Sequence, residues 1–156
     1  EPPMFVNVVK INTAEEMFNA VKENFDNIDI VIKAAAVADY TPTTIAHNKI
    51  KKTDGDMSIP LKRTTDILKY LGENKTHQFL CGFSMETENM LENSTKKLSK
   101  KNLDMVVANN LKDKGAGFGT DTNLITIITK DNVNQLPLMS KEDVANSILD
   151  EILKNM

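Results

Sequence analysis

The chain has 156 residues, 40% apolar and 26% charged, enough for one domain with a buried core. Its net charge of −3 gives no overall pull toward nucleic acid or an anionic membrane, and no apolar run approaches the roughly 18 residues of a membrane span. A single cysteine, Cys81, excludes an internal disulfide and fits a reducing, cytoplasmic compartment.

The opening EPPMFVNVVKI lacks the basic end and long apolar centre of a signal peptide. It has no initiator Met and reads as a strand, Met4 to Ile11, so the expectation is a chain cut from something longer. TAEEMFNAVKENF follows with helical spacing, with Met17, Val21 and Phe25 on one face. Thr13 is its cap, and Glu16 three residues on closes a capping box. IDIVIKAAAV is a nearly continuous apolar strand, as expected of a parallel strand covered on both faces, interrupted only by Lys33. Tyr40 to Thr65 changes character: a Pro-containing turn, a basic strand-like piece, TDGD as a tight turn, then MSIPLKR. This reads as a hairpin or projecting β arm, residues 49–62, rather than a helix.

TTDILKYLGE is a short helix with Thr64 or Thr65 as cap, and THQFLCGF is a strand ending at Gly82-Phe83. ETENMLENSTKKLSKKN is a polar helix and LDMVVAN another strand. KDKGAGFGTDTN is a glycine-rich loop, LITIITKDNVNQLPLM a hairpin, and SKEDVANSILDEILKNM a closing helix capped by Ser140 with Asp143. The alternation of strand and helix argues one α/β domain with a mostly parallel sheet.

Ligands of open parallel sheets bind beyond the carboxyl ends of the strands. Three such ends carry unusual residues: Ala38-Asp39-Tyr40, Gly82-Phe83 and Ala108-Asn109-Asn110. Asp39 is a turn-former or a ligand for a ribose hydroxyl or metal; Ala34, Ala35 and Ala36 either let a ring approach or allow tight helix packing. Lys49, Lys51 and Lys52 either guard an edge strand or hold an anion. Lys96, Lys97, Lys100 and Lys101 form a second group, with Lys97 and Lys101 on one helix face. Two lysine clusters near one sheet edge suggest a polyphosphate site. GAGFG matches neither the P-loop nor the dinucleotide fingerprint, which disfavours a dehydrogenase-like NAD module. Cys81 reads as core, and His47 and His77 show no acidic partner. Glu86 either holds Mg²⁺ or caps a helix; Met57, Met85, Met90 and Met105 read as packing residues.

AAAVADYTP, NKIKK, GFSMET, KKLSKKNLDMVVANN and GAGFGTDTN, in this order, resemble phosphopantothenoylcysteine synthetase, over essentially the whole chain. The resemblance implies a Rossmann-like three-layer α/β sandwich with a β arm, residues 1–156 being the carboxy-terminal portion of one synthetase domain. It implies ligation of 4'-phosphopantothenate and L-cysteine, driven by CTP with Mg²⁺ or a similar divalent cation, through a 4'-phosphopantothenoyl-cytidylate. It assigns Lys33, Ala34, Ala35, Asp39, Lys62, Arg63, Thr64, Thr65, Phe83, Lys97 and Lys101 to the nucleotide site and Lys49 to the phosphate chemistry. It further implies a homodimer with the arm near the interface, a flavin-dependent decarboxylase fused or associated upstream, and no flavin in this portion. The chain departs from the family at Thr64-Thr65-Asp66, where Asn-Pro-Asp is common, and at Asn110, usually Asp. The family's amino-terminal asparagine motif, which holds the acyl-cytidylate, does not occur in this sequence. The alternative is a nucleotide-binding module without turnover of its own.

Overall fold

A computed structural model describes residues 4–52, 54–86, 88–110 and 119–156, Asn110 by its backbone alone. In chain order the elements are α1 (Ala14–Asn24), a 3-10 turn (Phe25–Asn27), β1 (Ile30–Lys33), β2 (Tyr40–Pro42), β3 (Leu61–Arg63), α2 (Ile67–Asn74), β4 (Phe79–Glu86), α3 (Met90–Lys100), β5 (Met105–Asn110), β6 (Thr122–Asn123), β7 (Ile125–Thr129), β8 (Val133–Gln135), β9 (Met139–Ser140) and α4 (Lys141–Asn155). The main sheet has the order β1-β4-β5-β7-β8. β1, β4 and β5 run parallel, while β7 and β8 add antiparallel, so the sheet is mixed.

Side-chain alternation along the strands builds two cores. Leu80, Val106 and Ala108 face α1, α2 and α3, meeting Leu68, Leu71, Leu98 and Phe25. Phe79, Cys81, Met105 and Val107 face the other way, onto Val144, Ile148 and Ile152 of α4. The result is the expected three-layer arrangement. Each fully buried Leu or Ile contributes about 1.5–3 kcal/mol, so this alternation fixes the register of the central strands. At the amino ends of β4 and β5, Lys75 Nζ reaches both carboxylate oxygens of Asp104 at 2.7 Å, and Asp104 Oδ2 accepts from the Leu80 amide at 2.8 Å.

Local capping follows the sequence at both ends of the chain. The Glu16 amide donates to Thr13 Oγ1 at 3.1 Å, and the Asp143 amide to Ser140 Oγ at 3.1 Å. Four expectations are corrected. Residues 4–11 form no strand: Met4, Phe5, Val6, Val8 and Val9 are exposed, because alternation alone does not supply a hydrogen-bonding neighbour. The strand expected over IDIVIKAAAV stops at Lys33, and among the described residues it is a half-covered edge, with Ile32 exposed. α2 is capped by Asp66, whose Oδ1 accepts from the Lys69 amide at 3.1 Å, rather than by Thr64 or Thr65. β4 continues to Glu86 instead of ending at Gly82-Phe83, since β5 pairs with it through Asn110.

The arm is rooted by the short β2–β3 ladder, Tyr40 facing Arg63 and Pro42 facing Leu61. Beyond it the described residues between 43 and 60 belong to no strand, and Gly55 takes a φ of +108° at the expected TDGD turn, a region open to glycine. Ile45, Ile50, Met57, Ile59 and Leu61 are exposed along it, so Met57 is not a packing residue. Met85, also expected to pack, is 41% exposed, whereas Met105 is fully buried.

Candidate functional site

β1 ends at Lys33, in register with Gly82, while β4 and β5 run on together to Glu86 and Asn110. This step in the carboxyl edge opens a cavity of about 800 Å³. The loop 34–39 that leaves β1 lines one wall. Its backbone is tied to the far side by the Thr64 amide, which donates to the Asp39 carbonyl at 2.9 Å. Thr64, Thr65 and Asp66 at the start of α2, Phe83 and Met85 of β4, Lys97 and Lys101 of α3, and Asn109 of β5 complete that side. Asn123, Lys141, Val144, Ala145 and Ile148 close the α4 side. The three strand ends singled out in the sequence therefore converge, the last contributing Asn109 while Ala108 packs into the core.

The cationic half of the cavity faces α2 and α3. Lys101 Nζ pairs with Asp66 Oδ2 at 2.8 Å, Lys97 Nζ donates to the Phe83 carbonyl at 2.7 Å, and Lys33 Nζ to the Ala35 carbonyl at 2.9 Å. Burial lowers the pKa of Lys33, and the charge of Lys101 lowers it further, against the pull of Asp66 and Asp39. Lys97 is lowered for the same two reasons, with Glu86 opposing. Burial works against the Asp66 carboxylate, but hydrogen bonds from Lys101 and the Lys69 amide outweigh it and hold its carboxyl below the usual range. Of the three ammonium groups only Lys101 is ion-paired, with the ionised Asp66, while Lys33 and Lys97 are held on main-chain carbonyls. The mutual repulsion of Lys33, Lys97 and Lys101 favours an anion in the cavity.

The structure brings together Lys33, Ala34, Ala35, Asp39, Thr64, Thr65, Phe83, Lys97 and Lys101, all named from the sequence. It leaves out Lys62, Arg63 and Lys49. Lys62 and Arg63 lie exposed on β3, Arg63 with its guanidinium 5.8 Å from the Tyr40 ring centroid. Lys49 is exposed on the arm with Lys51 and Lys52, none of them lining the cavity. Lys96 pairs with Glu92 and Lys100 is exposed, so the second cluster divides across the helix. Asp66 was not singled out, because TTD offers three capping residues in a row. Glu86 accepts from Ser84 Oγ at 3.0 Å and Asn93 Nδ2 at 3.2 Å, while Asn89 precedes α3 in a left-handed conformation. His77 Nε2 does have an acidic neighbour, Asp29 Oδ1 at 3.5 Å, at the opposite end of the strands. Cys81 is core, its thiol pushed up to about 12 by burial. The GAGFG loop falls outside the described residues except for Gly119.

Comparison with known proteins adds the following. The family model for the DNA/pantothenate metabolism flavoprotein C-terminal domain matches residues 1–156. The chain is 50% identical over 153 residues to the coenzyme A biosynthesis bifunctional protein CoaBC of Bacillus subtilis, covering 97% of this chain and 38% of that protein. It is 48% identical over 150 residues to a cysteine/cysteine sulfinic acid decarboxylase of an unknown prokaryotic organism, covering 95% of this chain and 42% of that one. Among solved structures, the C-terminal domain of a coenzyme A biosynthesis bifunctional protein CoaBC superposes with a TM-score of 0.80 at 42% identity, over 97% of this chain and 67% of that domain. The chain therefore spans well under half the length of the curated relatives it matches.

Proposed function

Because this chain belongs to the DNA/pantothenate metabolism flavoprotein C-terminal domain family, we propose that it forms the nucleotide-binding part of a CTP-dependent ligase that joins 4'-phosphopantothenate to L-cysteine. The reading rests above all on the cavity beyond β1, which is lined by Lys33, Lys97 and Lys101, the last paired with Asp66. An acid carboxylate attacks the α-phosphorus of CTP, and the bond to the bridging oxygen breaks to release pyrophosphate. The cysteine amine then attacks the acyl carbon of the cytidylate, and CMP leaves with the oxygen that joined it. Both steps develop negative charge on phosphate oxygens, and the protein's task is to neutralise and hold them.

Lys97 in the last turn of α3 and Lys101 at its C-cap suit the triphosphate. Lys33 meets it from the end of β1. Asp39, at the turn out of β1, suits a ribose hydroxyl, and the small Ala34 and Ala35 leave room for the nucleoside. Among the described residues no group of three or more His, Cys, Asp or Glu is placed to hold a metal ion. That lining fits a divalent cation carried mainly on the triphosphate itself, the mode usual for Mg²⁺. When bound, the cation would add charge neutralisation at the phosphates.

The arm fits a homodimer. Its exposed Ile45, Ile50, Met57 and Ile59 gain by burial, and it carries Lys49 away from the cavity of its own chain. In this reading Lys49 serves the cavity of a second copy. The bifunctional name of the Bacillus subtilis relative is consistent with a fused decarboxylase, and a ligase of this kind would work in the cytoplasm. Among the described residues no helix is long and apolar enough to cross a membrane.

The test is to incubate the full-length protein with CTP, Mg²⁺, 4'-phosphopantothenate and cysteine and to identify the products by mass. The expected products are the acid–cysteine amide, CMP and pyrophosphate. CTP binding without pyrophosphate would instead identify a nucleotide-binding module.

A further inference from the structure

Lys97 has a carboxylate near it that the cavity does not use. Strand alternation sends Phe83 and Met85 of β4 into the cavity, and Leu80, Gly82, Ser84 and Glu86 toward the α2–α3 layer. Glu86 is the charged member of that second row and does not line the cavity. Its Oε1 accepts from the buried Ser84 hydroxyl at 3.0 Å, and its Oε2 from Asn93 Nδ2 at 3.2 Å. It does not cap α3: Asn89 stands at that position, and Glu86 accepts from no first-turn amide among the described residues.

Asn93 lies one helical turn before Lys97, so both reach from the same face of α3. Lys97 Nζ donates to the Phe83 carbonyl at 2.7 Å. Two side chains four positions apart thus grip the end of β4, one at Phe83 and one at Glu86. Both donors to Glu86 are neutral, so its charge is cancelled by no ion pair at those oxygens. That charge falls on Lys97. Burial, Lys101 at the end of α3 and Lys33 at the end of β1 work against the Lys97 ammonium. Glu86 opposes them, more strongly than Asp66 at the start of α2.

We propose that Glu86 is a positioning residue of the ligase: clamped by Ser84 and Asn93, it ties α3 to the end of β4 and supplies the negative charge that balances Lys97 against Lys101 and Lys33. The proposal rests on the ligase reading of the cavity, and Glu86 acts through Lys97 without touching substrate. Its placement suits that task. A carboxylate inside the cavity would repel a triphosphate and occupy a lysine, as Asp66 occupies Lys101. Set outside the cavity lining on neutral donors, Glu86 offsets the repulsion among the lysines and leaves their cavity side open to an anion.

The test is CTP affinity as a function of pH at fixed ionic strength, with thermal unfolding, for full-length wild type, Glu86→Gln, Glu86→Asp and Asn93→Ala. Gln keeps an acceptor for Ser84 and removes the charge. Its Kd for CTP at pH 9 should rise about fivefold or more, and its alkaline loss of affinity should begin at lower pH. Glu86→Asp, which restores the charge, should return that loss toward the wild-type pH. Asn93→Ala, at an exposed residue, should weaken CTP binding more than twofold with Tm close to wild type. A Glu86→Gln profile that superimposes on wild type, with affinity within twofold, would overturn the proposal. Equal losses of affinity and Tm in the Gln and Asp variants would overturn it too, and make Glu86 a folding residue. If Glu86→Gln does not fold, unchanged CTP affinity in Asn93→Ala overturns it. These readouts need only CTP binding, so a wild type that binds CTP but releases no pyrophosphate refutes the ligase reading and leaves the role of Glu86 toward Lys97 to be decided by the same curves. A wild type that binds no CTP refutes both.

Discussion

Gly72 lies where α2 touches the end of α3, and its replacement by alanine tests how Lys101 is positioned. A Cβ at Gly72 would stand 1.8 Å from the Lys101 carbonyl oxygen and 2.8 Å from its carbonyl carbon. Real contacts of this kind stay above 3.0 Å, so α2 and the Lys101 backbone must separate by about 1.2 Å. The atom in the way is main chain, and Asn102 Nδ2 donates to the Gly72 carbonyl at 2.9 Å across the same contact. Two effects oppose each other. Alanine is the better helix former by about 1 kcal/mol. Overpacking a closed contact costs about 1–3 kcal/mol, and a main-chain clash belongs at the upper end. The net expectation is about 2 kcal/mol of destabilisation, or a fall of about 4–8 °C in Tm for a chain of this size. The separation also stretches the 2.8 Å Lys101–Asp66 pair, so CTP affinity falls several-fold. Thermal unfolding and CTP titration of Gly72→Ala measure both. A melting temperature above wild type would show that propensity dominates and that the close approach does not position Lys101.

Three further outcomes follow. If Lys49 serves a second copy, Lys49→Gln and Lys101→Met proteins, each inactive alone, regain about a quarter of wild-type turnover when refolded together, since half the dimers are mixed and each mixed dimer has one intact site; no recovery would place Lys49 outside the partner's cavity. Nucleotide affinity, measured at fixed ionic strength where the triphosphate is fully ionised, falls with rising pH from below 10.5, because Lys33 and Lys97 lose their protons earlier than ordinary lysines. Stability without nucleotide changes with the opposite sign in that window: these groups bind fewer protons folded than unfolded, so their titration raises stability as pH rises. Cys81, buried with a thiol near 12, resists iodoacetamide at pH 8 in the folded protein and reacts in urea; rapid labelling without denaturant would contradict its place between β1 and β5.

Features decided within a few residues were readable in advance. Thr13 with Glu16 and Ser140 with Asp143 are capping patterns whose partners lie three positions away, and both formed. Lys97 and Lys101, four apart on one helix, reached the same cavity. What depends on distant neighbours was less legible. Met4 to Ile11 has the alternation of a strand but pairs with none of the described strands. Lys33 looked like an interruption in an apolar run, and its value emerged only because β1 stops there while β4 and β5 continue. Asp66 was hidden by two neighbouring threonines with equal capping chemistry. Gly72 carries no local signal: it is defined by the approach of another helix.

The central claim is that the lysine cluster at the carboxyl edge holds the triphosphate for acyl activation. It is tested most directly by pyrophosphate release from CTP and 4'-phosphopantothenate, comparing full-length wild type, the double variant Lys97→Met with Lys101→Met, and Lys96→Met. Each lost charge-assisted contact costs about 1.5–3 kcal/mol, so the double variant should fall at least about a hundredfold in kcat/KM. Lys96, which faces away and pairs with Glu92, should remain within twofold of wild type. Equal pyrophosphate release from all three proteins would contradict the account.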